Sequence, residues 1–537
     1  MRNILLTLLA CAGAFAAHAQ AAEGPARNPY LAADKYATSH FDPARTESVP
    51  YPAPRGSFRG ELRRMPRVAG GPVNWMELAS TSPRYMWGTF TGGVRYIDVS
   101  GNGLRTVARL ATPGAQWLEP ATLDQALAQR WSGADEVTAL VRQTLRVSAE
   151  RLDTNVHALV DQDNVLYSSA PDGMIHAYGL AEPADPIAGI RILRSLDFGS
   201  ELRRLTAGAG AGSRQQPVGI VGLGVTYDGK LVILSSRSVT VMDRSLRGDR
   251  VVVELGPDER VTTGMAIDEK GGIYVASDTT LRKLVWTGAK LSADEQDGAW
   301  AALYDTGHTP PNGKAGRGTG TAPVLMGFDG FPDKLVVIVD GADRMKAVAF
   351  WRDGIPAGFE QKPGTRSRRV AGQIELTCGL APAPDFVQTA QPLVASGYGL
   401  FVLNSVRTQG TDDRLVDALA NGPVFAPAMG AERIEWDPSA HEWRSVWTRA
   451  DLAGTSMAPA LSTGANAVFV NGYTSTDGWE LTGLDWDTGK TVHRTIFGYD
   501  NLGNAAFAPL QFLPNGDLLF NSIGGPVRVR YPGPAKP

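Results

Sequence analysis

The chain has 537 residues, a formal net charge of −3, 61 glycines and 35 prolines. The small net charge argues against a nucleic acid or another generic polyanion as the partner. The many glycines and prolines favour frequent turns between short strands over long helices.

The N-terminus has the pattern of a cleavable export signal. Arg2 precedes an apolar run from Ile4 to Ala17, and small residues of the A-x-A type follow around Ala19. The run is too short for a membrane-spanning helix, and no later segment reaches the roughly 20 apolar residues that a span needs. We therefore expect residues 1–21 to be a signal peptide, and the mature protein to be periplasmic or secreted and not membrane-spanning.

The cysteine content leaves no disulfide to stabilise the fold. Of the two cysteines, Cys11 lies in the predicted signal peptide, so Cys378 stands alone in the mature chain. A lone cysteine between Thr377 and Gly379 is most often a small buried apolar residue. The stability of the protein must then come from its packed core.

The rest of the chain divides into an arm, a long repetitive region and a tail. Residues 22–74 are rich in Pro, Gly and Arg and predict an irregular N-terminal arm. Residues 75–531 carry the repeats described next, and 532–537 form a Pro-rich C-terminal tail. Apolar residues recur at helical spacing at about 120–148, which predicts a short helical insertion. The Gly-rich stretch Thr309–Gly320 predicts a flexible connector.

The repeats consist of short strands separated by turns. Five copies begin with a proline and an apolar run, then a turn and a second apolar strand, at Pro217, Pro323, Pro392, Pro459 and Pro509. Proline is tolerated at the first residue of a strand because it need not donate to the ladder there. Two copies lack the proline, His157–Ser169 and Gly264–Ser277, and a less regular unit spans Trp75–Leu110.

Four short strands in a unit that recurs every ~40–65 residues indicate a β-propeller. The sequence therefore predicts an all-β fold, a closed β-propeller of seven or eight four-stranded blades. The last copy shows three strands only. We expect the N-terminal arm, near Ser57–Met65, to supply the missing outer strand and close the ring.

The stretch GTSMAP, which begins at Gly454, is close to the element that carries the nucleophile of subtilisin-like proteases. Such a serine begins a helix and needs His and Asp partners. The residues after Ser456 instead indicate a strand, a turn at Gly464 and another strand, and Pro459 comes one residue too early. Ser456 is therefore predicted to precede an inner strand of a blade.

The same region resembles a known propeller repeat. Residues 455–494 read TSMAPALSTGANAVFVNGYTSTDGWELTGLDWDTGKTVHR. This is similar to the repeat of pyrroloquinoline-quinone-type (quinoprotein-like) propellers, and the match is clear over this one blade. His493 stands where that family has Trp. The resemblance implies a blade of a propeller, and it leaves pyrroloquinoline quinone and calcium as possible cofactors without identifying a ligand for either.

Propellers bind ligands at the mouth of the central channel, where the residues before the innermost strands converge. In this chain those positions are mainly neutral and polar. We predict the ligand-binding residues to be Asn155, His157, Gln216, Thr263, Thr321, Gln391, Ser456 and Asn504. The sequence identifies no catalytic residue and no metal ligand.

These observations favour an exported propeller that binds a small molecule or a protein partner at the channel mouth. Two enzymatic alternatives stay open. One is a quinoprotein-type dehydrogenase, as the blade resemblance implies. The other is a metal-dependent lactonase or esterase of the gluconolactonase type, because Gly264–Ser277 resembles a repeat common in that group and calcium takes oxygen ligands. The fold alone does not decide between them.

The predicted export can be tested directly. We expect the protein from its native host to begin near Gln20 or Ala22, because the signal pattern ends there. N-terminal sequencing checks this, and a mature protein that still begins with Met1 would contradict it.

Overall fold

The computed structural model describes residues 24–71, 74–115, 118–146, 156–208, 218–309 and 314–531. Within these ranges the chain forms eight β-sheets that follow one another in sequence. Seven sheets have four or more strands, and the last has three. The predicted all-β propeller is confirmed. We number the sheets first to eighth in chain order.

Each sheet is built as an antiparallel meander in which sequence neighbours pair, except that the last strand of the fourth sheet pairs with the strand two before it. The strands of the first four sheets are β3 (Asn74–Ala79), β4 (Tyr85–Phe90), β5 (Gly93–Asp98), β6 (Arg105–Ala111); β7 (Ala158–Val160), β8 (Leu166–Ser169), β9 (Met174–Glu182), β10 (Asp185–Asp197); β11 (Ile220–Val225), β12 (Lys230–Ser235), β13 (Ser238–Asp243), β14 (Arg250–Glu254); and β15 (Val261–Ile267), β16 (Gly272–Ser277), β17 (Thr280–Trp286), β18 (Leu291–Ser292), β19 (Trp300–Leu303).

The fifth to eighth sheets continue the pattern. Their strands are β20 (Val324–Met326), β21 (Leu335–Val339), β22 (Lys346–Trp351), β23 (Val370–Glu375); β24 (Val394–Ser396), β25 (Gly399–Leu403), β26 (Ala428–Asp437), β27 (Glu442–Gly454); β28 (Ala460–Ser462), β29 (Ala467–Thr474), β30 (Gly478–Asp485), β31 (Thr491–Gly498); and β32 (Leu510–Phe512), β33 (Leu518–Ser522), β34 (Gly525–Val529). Two arm strands, β1 (Ser48–Val49) and β2 (Gly56–Arg59), join the seventh sheet by parallel pairing.

The described helices are few and short. They are α1 (Pro120–Leu127), α2 (Ala134–Ala139), α3 (Gly199–Ala207) and α4 (Arg414–Ala420), with a π-helical turn at Leu140–Leu145 and 3₁₀ turns at Leu62–Arg64, Pro171–Gly173, Glu295–Asp297 and Asn501–Gly503. None of the helices in the described ranges has the length and apolar character that spanning a bilayer requires. The predicted insertion corresponds to α1, α2 and the π-helical turn, whereas the sequence reading missed α3 and α4.

The hydrophobic core lies between the faces of neighbouring sheets. Leu159 and Tyr167 of the second sheet pack with Leu223 and Ile233 of the third, and all four are at most 5% exposed.

The predicted apolar environment of the lone cysteine is also present. Cys378 is buried between the fifth and sixth sheets, and burial raises the pKa of its thiol. A thiol held in its neutral form is a packing residue rather than a nucleophile.

Ring closure differs in its details from the prediction. The arm segment β2 pairs with β31, the outer strand of the seventh sheet, and not with the eighth sheet. The eighth sheet is completed a few residues later, where Arg67 forms an antiparallel bridge with Val527 and the Val68 N–H donates to the Pro526 carbonyl at 3.1 Å. The arm therefore covers both exposed edges, with its closing residues just beyond the predicted Ser57–Met65.

The earlier part of the arm, residues 28–49, runs through the central channel. We call this segment the plug. It bonds to the first strand of every one of the eight sheets; the strand residues are Ala79, Val160, Val225, Ile267, Leu325, Ala395, Leu461 and Phe512. First strands of neighbouring sheets lie against one another and have a free edge towards the channel. The plug satisfies backbone groups on those edges.

Four consecutive sheets bind the plug through its backbone carbonyls. The Pro43 carbonyl accepts from Ile267 N–H at 2.8 Å and the Ala44 carbonyl accepts from Leu325 N–H at 2.9 Å. The carbonyls of Thr46 and Glu47 accept in the same way from the sixth and seventh sheets at 2.9 Å each. Carbonyls that point outward in successive directions require a tightly coiled backbone.

Left-handed backbone conformations produce this coil. Five non-glycine residues of the plug have positive φ: Tyr36 (66°), His40 (68°), Phe41 (63°), Arg45 (64°) and Glu47 (52°). Each costs on the order of 1 kcal/mol or more relative to right-handed backbone. The bonds to the eight inner strands, each worth about 1 kcal/mol, offset that cost.

Asp42 holds the coil together from inside. It is 2% exposed, and its Oδ1 accepts from the N–H groups of Ala44 at 3.0 Å and Thr46 at 3.3 Å. Its Oδ2 accepts from Lys35 Nζ and from the Thr46 hydroxyl, both at 2.5 Å. One carboxylate therefore fixes the conformation of the residues that bind the fourth to the seventh sheets.

We expect Asp42→Ala to lower the free energy of unfolding by about 3 kcal/mol, because it leaves buried donors and the Lys35 ammonium without their acceptor. Denaturant titration measures the change. Asp34→Ala is the matched control: Asp34 pairs with Arg27 at the surface, with side chains 62% and 67% exposed, so its loss costs at most about 1 kcal/mol. Equal losses in the two variants would contradict the role of Asp42.

Candidate functional site

A cavity of about 210 Å³ lies in the channel, next to the plug. Its wall is formed by residues at or before the starts of inner strands, including Val156, Leu223, Gly264 and Ala322. The plug meets most of these strands nearer their ends, for example at Val225 and Ile267. The plug therefore closes one end of the channel and forms the floor of the cavity.

The floor carries charged and hydrogen-bonding side chains from Ser39, His40, Arg45 and Glu47. Glu47 is fully buried, and its Oε1 lies 2.9 Å from His40 Nδ1. The Arg45 Nε donates to the Met265 carbonyl at 2.8 Å. Burial lowers the pKa of Arg45 to about 10, and Glu47 opposes that shift, so the guanidinium stays charged at neutral pH.

His157 contributes an uncharged ring to the wall. Burial lowers its pKa to about 3, and the positive charges of Arg45 and His40 act in the same direction. Its imidazole is therefore neutral at physiological pH. It can donate or accept one hydrogen bond through each nitrogen, depending on the tautomer.

Helix α4 and the loop before it form another part of the cavity wall. The Asp413 carboxylate caps α4 by accepting from the N–H groups of Leu415 and Val416. This cap positions Arg414 and Asp417, which both line the cavity. Asp417 Oδ1 accepts from the N–H and hydroxyl of Thr411, at 2.8 and 3.0 Å, and lies 4.0 Å from Arg407.

The stretch predicted as a flexible connector contributes to the wall. From Lys314 onward it is described, and Lys314, Thr319 and Thr321 are all buried. The Lys314 Nζ donates to the Gly318 carbonyl at 2.7 Å and to Gln388 Oε1 at 2.9 Å. The connector interpretation is therefore wrong for Lys314–Gly320, because these hydrogen bonds hold the segment against the sheets.

The structure brings five of the eight predicted site residues to one cavity: His157, Thr263, Thr321, Gln391 and Ser456. Asn504 lies behind it, where its amide Nδ2 donates to the Ala418 carbonyl of α4 at 3.0 Å. Asn155 and Gln216 fall outside the described residues. That these residues bind a ligand stays a prediction.

The sequence reading missed the charged part of the site. Arg45 and Glu47 come from the arm, whose path through the channel has no local sequence signal. Arg407 and Arg414 flank a short helix inserted between β25 and β26. The one sequence signal for this helix was Asp413, because aspartate is a preferred N-cap residue and an apolar run follows it.

Ser456 has the surroundings expected of a residue that precedes an inner strand. The Thr455 hydroxyl donates to the Asn471 carbonyl at 2.7 Å, and the Ser456 carbonyl accepts from Phe507 N–H at 2.8 Å. The chain then continues into β28, a turn and β29, not into a helix. The likeness to the protease element is therefore limited to the amino-acid sequence and does not extend to the local structure.

Comparison with known proteins supports the fold. No family model matches the chain. A protein of Archaeoglobus fulgidus described as uncharacterized is 27% identical over 321 residues, which cover 58% of this chain and 60% of that relative. A europium-containing methanol dehydrogenase superimposes with a TM-score of 0.50 over 90% of this chain and 88% of its own, at 11% identity.

A quinohemoprotein alcohol dehydrogenase from Pseudomonas putida HK5 gives a TM-score of 0.49 over 94% of this chain and 82% of its own, again at 11% identity. The described sheets form a β-propeller, and the likeness to the methanol dehydrogenase is one of fold. At this level of identity the likeness concerns the architecture and carries no statement about cofactor or substrate.

Two variants of the seventh sheet test the placement of Ser456. Leu461 is 1% exposed and packs with Val394 and Val468, so Leu461→Ala should cost roughly 2–5 kcal/mol. Ser456→Ala should cost at most about 1 kcal/mol, the usual worth of one hydroxyl hydrogen bond. Thermal melts compare the two. Equal melting points, or labelling by a serine-hydrolase probe that Ser456→Ala abolishes, would contradict the assignment.

Proposed function

We propose that this protein is an exported β-propeller that binds a small organic anion in the plugged end of its channel. The observation that carries the proposal is the concentration of cationic side chains around one cavity: Arg45, Lys314, Arg407 and Arg414 all line it. Two carboxylates, Glu47 and Asp417, are the acidic residues on the described wall.

Asp417 accepts hydrogen bonds within the protein, whereas the buried carboxylate oxygens of Glu47 accept none from the described residues. Glu47 lies against His40, and Asp417 accepts from Thr411 and faces Arg407. The cations therefore exceed the anions by two formal charges when both histidines are neutral. Excess positive charge around a cavity is stabilised by an incoming carboxylate.

The size of the cavity limits the ligand. Its volume of about 210 Å³ is below the ~300–1,000 Å³ of pockets that take drug-sized molecules. Polar groups such as Thr263, Thr321 and Asn421 are available for hydroxyl or carbonyl oxygens of the ligand. A compact carboxylate with one or two further oxygens suits this wall.

The quinoprotein-dehydrogenase and lactonase alternatives both require a bound cation. Among the described residues, no three His, Cys, Asp or Glu side chains are grouped to hold a metal ion. The acidic residues of the cavity come from different elements, Glu47 from the plug and Asp417 from α4. The described carboxylates of the cavity are Glu47 and Asp417, which do not by themselves make a three-residue metal site, and we favour binding as the function.

Export and the nature of the partner belong to the same proposal. The pattern at residues 1–21 supports a periplasmic or secreted protein, in which a binding propeller meets small solutes. Those residues lie outside the described ranges. The net charge of −3 continues to disfavour nucleic acid. A protein partner at the channel mouth stays a second candidate.

Isothermal titration calorimetry tests anion binding. We expect glycolate and succinate to bind and glycerol, which is uncharged, to bind at least tenfold more weakly. Arg407→Gln should reduce carboxylate affinity at least tenfold, about 1.4 kcal/mol, because it removes a cation from the wall. Arg59→Gln is the control, since Arg59 is 75% exposed and pairs with Asp477 outside the cavity. Preference for glycerol, or no effect of Arg407→Gln, would contradict the proposal.

A further inference from the structure

Glu47 is a carboxylate buried at the cavity floor without a hydrogen-bond donor. Its side chain is 0% exposed, and neither Oε1 nor Oε2 accepts a hydrogen bond from a described residue. The coil of the plug does not need this side chain, because the Glu47 backbone carbonyl is the group that accepts from Leu461 N–H, at 2.9 Å. A buried carboxylate without donors is destabilising, so its presence needs an explanation other than the fold.

His40 is the nearest partner of this carboxylate. Its Nδ1 lies 2.9 Å from Glu47 Oε1, is buried and makes no hydrogen bond to another described residue. The rest of the side chain accounts for its 20% exposure, and His40 lines the cavity. Because an ionised carboxylate can only accept, Nδ1 carries the ring hydrogen and Nε2 keeps its lone pair. A carboxylate in this position orients an imidazole and stabilises the imidazolium that forms when the ring takes a proton.

The serine next to His40 is already used by the second sheet. The Ser39 hydroxyl lies 3.2 Å from the carbonyls of both Val156 and Ala158, and its oxygen accepts from the Ala158 N–H at 3.2 Å. Ser39 is therefore not a nucleophile that the imidazole activates. The free lone pair of His40 is left to take a proton from the ligand itself.

Arg45 places a fixed positive charge on the same floor. Its Nε donates to the Met265 carbonyl at 2.8 Å, and its guanidinium lies over Gly264, where a Cβ would leave it no room. The charges of Arg45 and His40 both lower the pKa of His157, so the three side chains lie close together. A fixed cation stabilises the negative charge that develops on a nearby oxygen during a reaction.

We infer that His40 removes a proton from the carbon beside the carbonyl group of a small 2-oxo acid. The inference rests on the proposed function, because Arg407 and Arg414 would hold the carboxylate of this substrate. The proton moves to His40 Nε2, the C–H electron pair forms a C=C bond, and the carbonyl electron pair moves to the oxygen, where Arg45 stabilises it. The imidazolium then returns a proton to the carbon after exchange with solvent. No oxidant or reductant is consumed.

Proton exchange on pyruvate tests the inference. The whole protein is incubated with pyruvate in D₂O, and the methyl signal is followed by proton NMR. We expect exchange on the order of a hundredfold faster than in buffer alone, the usual contribution of a positioned base. His40→Asn should lose this rate, and asparagine tolerates the left-handed backbone at residue 40. His308→Asn is the matched control, because His308 pairs with Asp343 at 2.7 Å and is 89% exposed, outside the cavity.

Glu47 acts in this step as a positioning residue. Glu47→Gln should lower kcat for exchange about tenfold, because the amide no longer stabilises the imidazolium, while KM for pyruvate stays unchanged. A variant that only disturbed the fold would lose pyruvate binding as well. An unchanged kcat in Glu47→Gln would refute the role of this carboxylate.

The wild-type measurements separate proton transfer from anion binding. If pyruvate binds by calorimetry but its methyl protons exchange no faster than in buffer alone, proton transfer is refuted and anion binding stands. If neither pyruvate nor glycolate binds, both are refuted. Exchange in His40→Asn at the wild-type rate would refute His40 as the base.

Discussion

The hydrogen bonds between the plug and the eight inner strands are the interaction on which the rest of the structure depends. The plug reaches six of the strands through its backbone and two through the side chains of Asn28 and Tyr36. A propeller leaves the inner edge of each sheet open to its channel. Here one segment, residues 28–49, bonds to all eight of those edges. It ties together sheets that are far apart in sequence, and the described cysteine, Cys378, is free. The arm therefore takes part of the role that a disulfide has in many exported proteins.

The plug also creates the site. The coil that directs carbonyls to the fourth, fifth, sixth and seventh sheets places Arg45 and Glu47 on the cavity floor. Left-handed backbone at both residues is part of the same geometry. The coil of the plug therefore produces both the left-handed backbone at Arg45 and Glu47 and the charges that these residues bring to the cavity. This agrees with the tendency of strained residues to cluster at functional sites. A channel without the plug would be wetter, and its cations would bind anions more weakly.

The repeats made the propeller predictable, because an apolar run, a turn and a second apolar strand recur along the chain, and five of the copies begin with a proline. Strand starts follow from that pattern, which is why His157, Thr263 and Ser456 could be named in advance. The floor could not be predicted, since the left-handed backbone of Tyr36–Glu47 is stabilised by the bonds to the inner strands and by the hydrogen bonds of Asp42, which appear only in the folded structure. Lys314 was missed for the opposite reason: its Gly-rich surroundings indicate flexibility, whereas hydrogen bonds to Gly318 and Gln388 fix it.

Hydrogen–deuterium exchange on the wild-type protein tests the central claim, that the arm fills the channel. The N–H groups of Ile267, Leu325, Ala395 and Leu461 point to the channel and donate to plug carbonyls at 2.8–2.9 Å. The account predicts that these four amides exchange as slowly as amides inside the sheets, such as that of Val232, because opening them requires the plug to leave. Rapid exchange at these four positions, with Val232 protected, would mean an open, water-filled channel and would contradict the account.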